Sequence, residues 1–520
     1  MLKRNTAIRV VSFMVFITFF SKVLGMLRDV FIASKYGMGT EAIAFSTASR
    51  IPLFFFDLGL GVAISSTFIP IFNEYLKNNE ENKGMEFSSV FLNCVFILSA
   101  FIVVIGVLFS KNIVHMVAGG LDESTLLLSA KLLRILFPMI VFTGLAFTFV
   151  GILQSFGEFN IPSLISLASN LIVIGYLIFL NDRFGIEGLA VAMLIGWISQ
   201  VVIQIPSLVK HGYKYKFMLN LKNEGMKKAG VLMLPILISA WVQPINTMVN
   251  IRLASYLNKG QAVVALDYAN KLYITVVGIF IYSVVNLIFP SLSRINISKD
   301  KMEFIKIINL AIRSIIYILS PVMVIFIILR VPLISLVYER GQFDSHSTYL
   351  TSEAFMYYSI GMIAWGIQEI INKAFYALHD AITPMKISIV GIVFNICVSF
   401  LLAFKIGMKG LALATAISTI NISIVLIMVI NKKINGIFDT NFLYYFLKMG
   451  AASLFTGIVI MFVNNIMTNI VNLNTLLYKA IKVGVPSLIG IIFYVIFTMF
   501  IGIEESKIFI DIVKSKLKRG

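Results

Sequence analysis

Long apolar runs recur from one end of this 520-residue sequence to the other. In hydrocarbon every backbone N–H and C=O has to be satisfied within the protein. A helix crosses a bilayer with about 20 apolar residues. About fourteen runs meet that length, near 10–33, 42–71, 87–109, 126–153, 160–180, 187–209, 228–256, 262–292, 306–330, 351–377, 383–404, 408–430, 443–463 and 478–502. Charged residues make up 13% of the chain, about half the roughly 25% of soluble domains. The fold class is therefore an all-α polytopic membrane protein with about fourteen transmembrane helices. The first run is too long for a signal-peptide core and lacks a small-residue cleavage site, so it reads as the first span. Pro52, Pro138, Pro244 and Pro290 fall within or near the ends of runs and mark candidate bends.

The net charge of +18 would suggest nucleic acid in a soluble protein. Here the cations cluster in alternate loops, as topology requires, so no nucleic-acid partner is implied. Lys3, Arg4 and Arg9 precede the first run, and Lys77 and Lys83 follow the second. Lys210, Lys214, Lys216, Lys222, Lys227 and Lys228 follow the sixth, and Arg294, Lys299, Lys301 and Lys306 the eighth. Lys432 and Lys433 follow the twelfth, and Lys507, Lys514, Lys516, Lys518 and Arg519 close the chain. The opposite loops hold mostly single cations such as Lys35, Lys111, Arg183 and Lys259. Both termini are thus expected in the cytoplasm, and anionic membrane lipids account for the remaining basic excess. Cys94 and Cys397 form no disulfide framework, and four scattered histidines form no metal motif.

The chain also repeats itself. Gly185-Ile186-Glu187-Gly188-Leu189-Ala190 recurs as Gly407-Met408-Lys409-Gly410-Leu411-Ala412, and Asn160-Ile161-Pro162 recurs as Ile382-Thr383-Pro384 at the same offset. Thr67-Phe68-Ile69-Pro70 recurs as Leu287-Ile288-Phe289-Pro290 at nearly that offset, and between these Arg50 falls on Lys271. Six runs per half enter the membrane the same way, which predicts two parallel six-helix repeats with a site between them. The expected organisation is an N-terminal lobe over 1–212, a basic cytoplasmic linker over 213–227, a C-terminal lobe over 228–435, and two appended helices with a basic tail over 436–520. The linker reads as a solvated, lipid-facing segment. Glu369 and Lys373 have the spacing of an in-helix ion pair.

Charges inside the apolar runs carry the functional signal. Lys22, Arg28, Asp29, Arg50 and Asp57 lie in the first two runs. A charge at the bilayer centre costs about 2.5–3.5 kcal/mol on insertion scales, and such residues line transport paths or pair with one another. Asp29 shares a helical stripe with Lys22, which leaves Arg28 to point elsewhere. With Lys271 from the second half, cations outnumber acids, which favours a phosphate-bearing anion as ligand. Interhelical salt bridges are the structural alternative for each residue.

The order and spacing of Ser21-Lys22-Val23-Leu24-Gly25 with Arg28-Asp29, Phe68-Ile69-Pro70-Ile71, Tyr268-Ala269-Asn270-Lys271, Gly341-Gln342-Phe343 and Asp380-Ala381-Ile382-Thr383-Pro384 resemble the MurJ (MviN) family. That family lies within the multidrug, oligosaccharide-lipid and polysaccharide exporter superfamily. The resemblance implies a monomeric carrier in the bacterial cytoplasmic membrane. Such a carrier flips lipid II, the undecaprenyl-pyrophosphate-linked peptidoglycan precursor, without catalytic residues or a cofactor; alternating access moves the head, and an inside-negative potential, which favours outward passage of an anion, is the expected drive. It also implies substrate contacts at Lys22, Arg28, Asp29, Glu41, Arg50 and Lys271. Phe56 and Gly61 depart from the family pattern, where an Arg and an acid are common. Some relatives bind sodium in the second lobe, but the matching Asn250, Asn395 and Thr415 are neutral, so sodium is the less favoured reading and no other metal is expected. The competing readings are an exporter of O-antigen or teichoic-type intermediates or of drugs, a channel, and a polyprenyl-phosphate enzyme. No Asp-x-Asp metal motif or large hydrophilic domain supports the enzyme.

Overall fold

The computed structural model describes residues 4–58, 60–220, 222–292, 295, 300–434, 440–470 and 475–507. Lys3, Arg294, Lys299, Lys514, Lys516, Lys518 and Arg519 lie outside the described residues. Every regular element among the described residues is helical. The chain forms two compact units, Met1–Val264 and Ala265–Gly520.

The first unit begins with α1 (Arg4–Tyr36), α2 (Thr40–Leu58), α3 (Leu60–Ala63), a π turn (Ile64–Phe68) and α4 (Ile69–Lys77). It continues with α5 (Glu81–Leu108), α6 (Ser110–Val117), α7 (Glu123–Leu136), α8 (Met139–Ser155), α9 (Asn160–Phe179), α10 (Asn181–Val202) and α11 (Ile205–Lys210). α12 (Glu224–Ala240) and α13 (Val242–Ser255) complete it, and α14 (Gln261–Leu292) starts at its edge. The second unit holds the rest of α14, then α15 (Lys301–Ile328), α16 (Arg330–Tyr338), α17 (Ser345–Ile360), α18 (Met362–Ala377), α19 (Ile382–Ile406) and α20 (Met408–Ile434). α21 (Thr440–Ile470) and α22 (Leu476–Phe500) pack on α15 and α16 of that unit.

Among the described residues ten helical segments are long and apolar enough to span a membrane. Several of the fourteen apolar runs are broken rather than straight. The second run becomes α2, α3, the π turn and α4, the seventh breaks at Trp241, and the tenth breaks at Gly361. Two breaks meet: the indole N–H of Trp241 donates to the Leu58 carbonyl at the end of α2. A carbonyl left over at a helix end needs such a partner in an apolar setting. The prolines act unevenly. α2 continues through Pro52, whereas Pro138 stands at the α7–α8 break and Pro244 in the first turn of α13, where no N–H is needed. The Pro290 side chain lies outside the described residues.

The sequence repeat reappears as matched local geometry. Asp122 accepts the Thr125 N–H at 3.0 Å and caps α7, and Asp344 accepts the Ser347 N–H at 2.8 Å and caps α17. Hydrogen bonds from Ser124 and Thr125 hold the Asp122 carboxyl at about 2, and the Ser347 backbone N–H lowers that of Asp344. Glu158 accepts from the Asn160 N–H, and Asp380 from the Thr383 N–H, at the starts of α9 and α19. Gly185 (φ 56°, ψ −149°) and Gly407 (φ 65°, ψ −140°) adopt one backbone state that is essentially reserved to glycine. A Cβ at Gly144 would meet Val95 Cγ1 at 2.8 Å, and one at Gly366 would meet Ile315 Cγ2 at 2.5 Å, so the same helix contact is built twice.

One matched pair has exchanged its signs. Lys131 pairs with Glu187 in the first unit, and Glu353 pairs with Lys409 at 2.7 Å in the second. The first pair is exposed, while Glu353 is buried and also meets Arg330 Nε at 3.3 Å. Exposed pairs contribute under about 1 kcal/mol, whereas removing one member of a buried pair costs about 3 kcal/mol or more. Detergent-denaturation curves should therefore show Lys131→Gln close to wild type and Lys409→Gln, which takes a cation from the buried Glu353 carboxylate, clearly destabilised.

Candidate functional site

α1 is a long apolar helix interrupted by charge, and its packing against α9 decides where that charge goes. Arg28 donates from Nε and Nη2 to Asp29 Oδ1 at 3.3 and 3.0 Å, and from Nη1 to Asn170 Oδ1 of α9 at 3.0 Å. Asn170 donates in turn to the Ser21 carbonyl at 3.2 Å. Gly25 makes room, since a Cβ there would lie 3.6 Å from Asn170 Nδ2. Arg28 is therefore not left to point elsewhere, as its helical position suggests. Neighbouring residues diverge by about 100° around a helix, but the Arg side chain is long enough to fold back onto the next carboxylate. Three of its five N–H groups are engaged.

The other expected residues of this unit are spread along α1 and α2. Lys22 is exposed on α1, Arg50 is half-buried in α2, and Asp57 is exposed in the last turn of α2. Glu41 is exposed in the first turn of α2, where a carboxylate also favours the helix dipole. At the far end of α1, Lys35 pairs with Asp182 at 2.7 Å and the Tyr36 hydroxyl donates to Asn181, tying α1 to α10. Phe56 is buried and stacks on Phe147 with centroids 5.6 Å apart. A Cβ at Gly61 would lie 3.0 Å from Phe56 Cε1, so the two departures from the family pattern are one packing solution in which the small residue admits the ring.

In the second unit Lys271 Nζ meets Asp267 Oδ2 at 3.1 Å, one turn back on α14, and lies 5.8 Å from the Tyr268 ring centroid. Asn395 is buried and accepts from Ser399 at 3.4 Å, and Thr415 donates to the Leu411 carbonyl at 3.1 Å. Asn250 belongs to the first unit, where its buried amide oxygen has no hydrogen-bond partner among the described residues. Among the described residues no three His, Cys, Asp or Glu side chains converge on a metal position. Lys373 Nζ lies over the rings of Phe289 and Tyr376, at 5.2 and 5.5 Å, and still acts electrostatically on Glu369, one turn back on α18.

Sequence reasoning missed Asn170, Asp267 and Glu353. Asp267 was legible, since it stands four residues before Lys271 in the favoured order of an ion pair. Asn170 and Glu353 have partners far away in the chain, which no local rule finds.

In three pairs set among apolar helices the acid is the buried member. Asp29, Asp267 and Glu353 side chains are 9, 7 and 7% exposed, against 22% for Arg28 and 39% for both Lys271 and Lys409. The described residues form an all-helical polytopic bundle, and in each of these pairs the cation is the more exposed member. The fold is similar to that of a solved multidrug resistance transporter of the MATE family, itself described as inward-facing, with a TM-score of 0.68 at 14% identity over 80% of this chain and 95% of that one. The sequence profile of the lipid II flippase MurJ family matches residues 32–481, and the chain belongs to that family. Its members are transporters, so the chain is not an enzyme. It is similar to the "Probable lipid II flippase MurJ" of Buchnera aphidicola subsp. Acyrthosiphon pisum (strain APS), with 27% identity over 492 residues, 94% of this chain and 96% of that protein. A solved structure described as lipid II flippase MurJ in an inward closed conformation matches with a TM-score of 0.78 at 28% identity, over 94% of this chain and 98% of that one.

The Arg28–Asn170 bond should appear as energetic coupling. A double-mutant cycle with Arg28→Gln and Asn170→Leu should give about 1–2 kcal/mol in unfolding experiments. Simple additivity would mean that the bond contributes nothing.

Proposed function

We propose that this protein carries lipid II from the inner to the outer leaflet of the bacterial cytoplasmic membrane by alternating access, for cell wall synthesis. The observation that carries the residue-level reading is the outward-turned cation. Arg28, held by Asp29 and Asn170, retains two N–H groups after its three bonds. A guanidinium edge of that kind matches phosphate oxygens. Lys22, Arg50 and Lys271 add positive charge along the path of the pyrophosphate, and Glu41 and Asp29 complete the substrate set.

The architecture in this reading has fourteen spans: parallel six-helix repeats over 1–212 and 228–435, the linker 213–227, and two further helices within 436–520. Both termini are cytoplasmic, and the carrier acts as a monomer. Matched caps, glycine states and helix contacts at equivalent positions of the two halves support the repeats. An inside-negative potential is worth about 2.3 kcal/mol per charge per 100 mV. It favours outward movement of the anionic head and return of the empty cationic site. Sodium at Asn250, Asn395 and Thr415 is not needed for that cycle.

Complementation of a bacterium depleted of its lipid II flippase, with membrane levels checked by blot, tests the residues. Arg28→Ala should insert normally and fail to support growth, and Arg28→Lys should lose most activity because two-point phosphate recognition is gone. Lys271→Gln should impair growth strongly while Lys271→Arg sustains it at least partly. An abundant, fully active Arg28→Ala protein would reduce Arg28 to a structural partner of Asp29. In reconstituted vesicles flipping should slow when the potential is collapsed, and an unchanged rate would remove the potential from the cycle.

A further inference from the structure

Beside α6 the first unit holds a cavity of about 610 Å³ lined by Lys111, Asn112, His115, Met116 and Arg252. Small-molecule sites span roughly 300–1,000 Å³. Four of the five lining side chains carry hydrogen-bond donors, and none is a carboxylate. Its floor is fixed by close backbone contact between two segments distant in sequence. Arg252 at the end of α13 donates from Nη1 to the His115 carbonyl at 3.2 Å and to the Met116 carbonyl, which places a cation at the negative end of α6. The Gly120 N–H donates to Ser255 Oγ at 3.1 Å, and a Cβ at Gly120 would lie 2.5 Å from the Tyr256 nitrogen. Only a glycine turn lets α13 approach closely enough to bring Arg252 beside His115. Lys111 is tethered to Glu123 at 2.9 Å, but both are exposed, and such a pair opens at little cost. Met116 in the lining is 59% exposed, and Leu108 and Phe109, which precede α6 in the chain, are exposed apolar side chains as well.

We propose that this cavity is a phosphate-binding site, with Met116 in its lining and the exposed Leu108 and Phe109 before α6 suited to a phosphate that carries acyl chains, such as an anionic phospholipid headgroup. The cavity uses none of the residues assigned to the transport path. Lys111 and His115 have no polar counterpart in the second half, where the repeat places Leu333 and Val337 at the equivalent positions. The same chemistry would admit free pyrophosphate, and the test separates the two.

The full-length protein in neutral detergent is melted against dihexanoyl phosphatidylglycerol, dihexanoyl phosphatidylcholine and inorganic pyrophosphate. Saturable stabilisation by phosphatidylglycerol but not phosphatidylcholine is expected, which assigns a lipid source. Stabilisation by pyrophosphate alone assigns a free anion. In either case the Lys111→Gln/His115→Gln variant should need at least about tenfold more ligand for half-saturation, with its ligand-free melting midpoint unchanged. Glu123→Gln, which frees Lys111, should bind more tightly than wild type, an effect that misfolding does not produce. The site is refuted if no phosphate compound stabilises the wild type, or if both variants saturate as the wild type does.

Discussion

The molecule depends on how charge is kept inside an apolar bundle. An isolated ion at membrane depth is expensive, so each intramembrane charge needs a partner before a ligand arrives. Arg28 with Asp29 and Asn170, Lys271 with Asp267, and Glu353 with Lys409 and Arg330 solve this in one way. In each the carboxylate is buried and the cation is the more exposed member. Neither ion of these pairs is buried bare, yet the face each pair offers is positive. For an anionic ligand this gives attraction without a large penalty in the unliganded state.

The positions that match between the two halves of the sequence show which parts of that solution are geometric and which are chemical. Caps, glycine backbone states and a helix crossing are retained from one half to the other because each has few substitutes. The ion pair at Lys131–Glu187 and Glu353–Lys409 is retained as a pair with its signs exchanged. Coulomb attraction requires opposite charges and is indifferent to which helix carries which. The halves also diverge in chemistry: the Lys111 and His115 that line the cavity beside α6 give way to Leu333 and Val337.

Broken helices are the other economy of the fold. The second and seventh runs are interrupted, and the Trp241 indole meets a carbonyl freed at the first interruption. Phe56 in the last turns of α2 fills the space beside Gly61 of α3 and packs on Phe147, so the two helices meet through apolar contact. Irregular backbone is tolerated within a membrane protein only where protein groups surround it or a wet cavity meets it.

The sequence alone determined the helical membrane class, the duplicated organisation as an expectation, and the residue types able to meet a pyrophosphate. These follow from composition, from run length and from a near-constant offset, all of which are local or periodic. The family was legible as well, because its motifs are collinear. Tertiary structure decided what each charge does. Asn170 approaches Arg28 from α9, and Lys409 and Arg330 approach Glu353 from separate helices. The reach of a flexible side chain across a helix interface is set by packing, which no spacing rule encodes. That is why Arg28 reads as free on a helical wheel and is held from two sides in the folded chain.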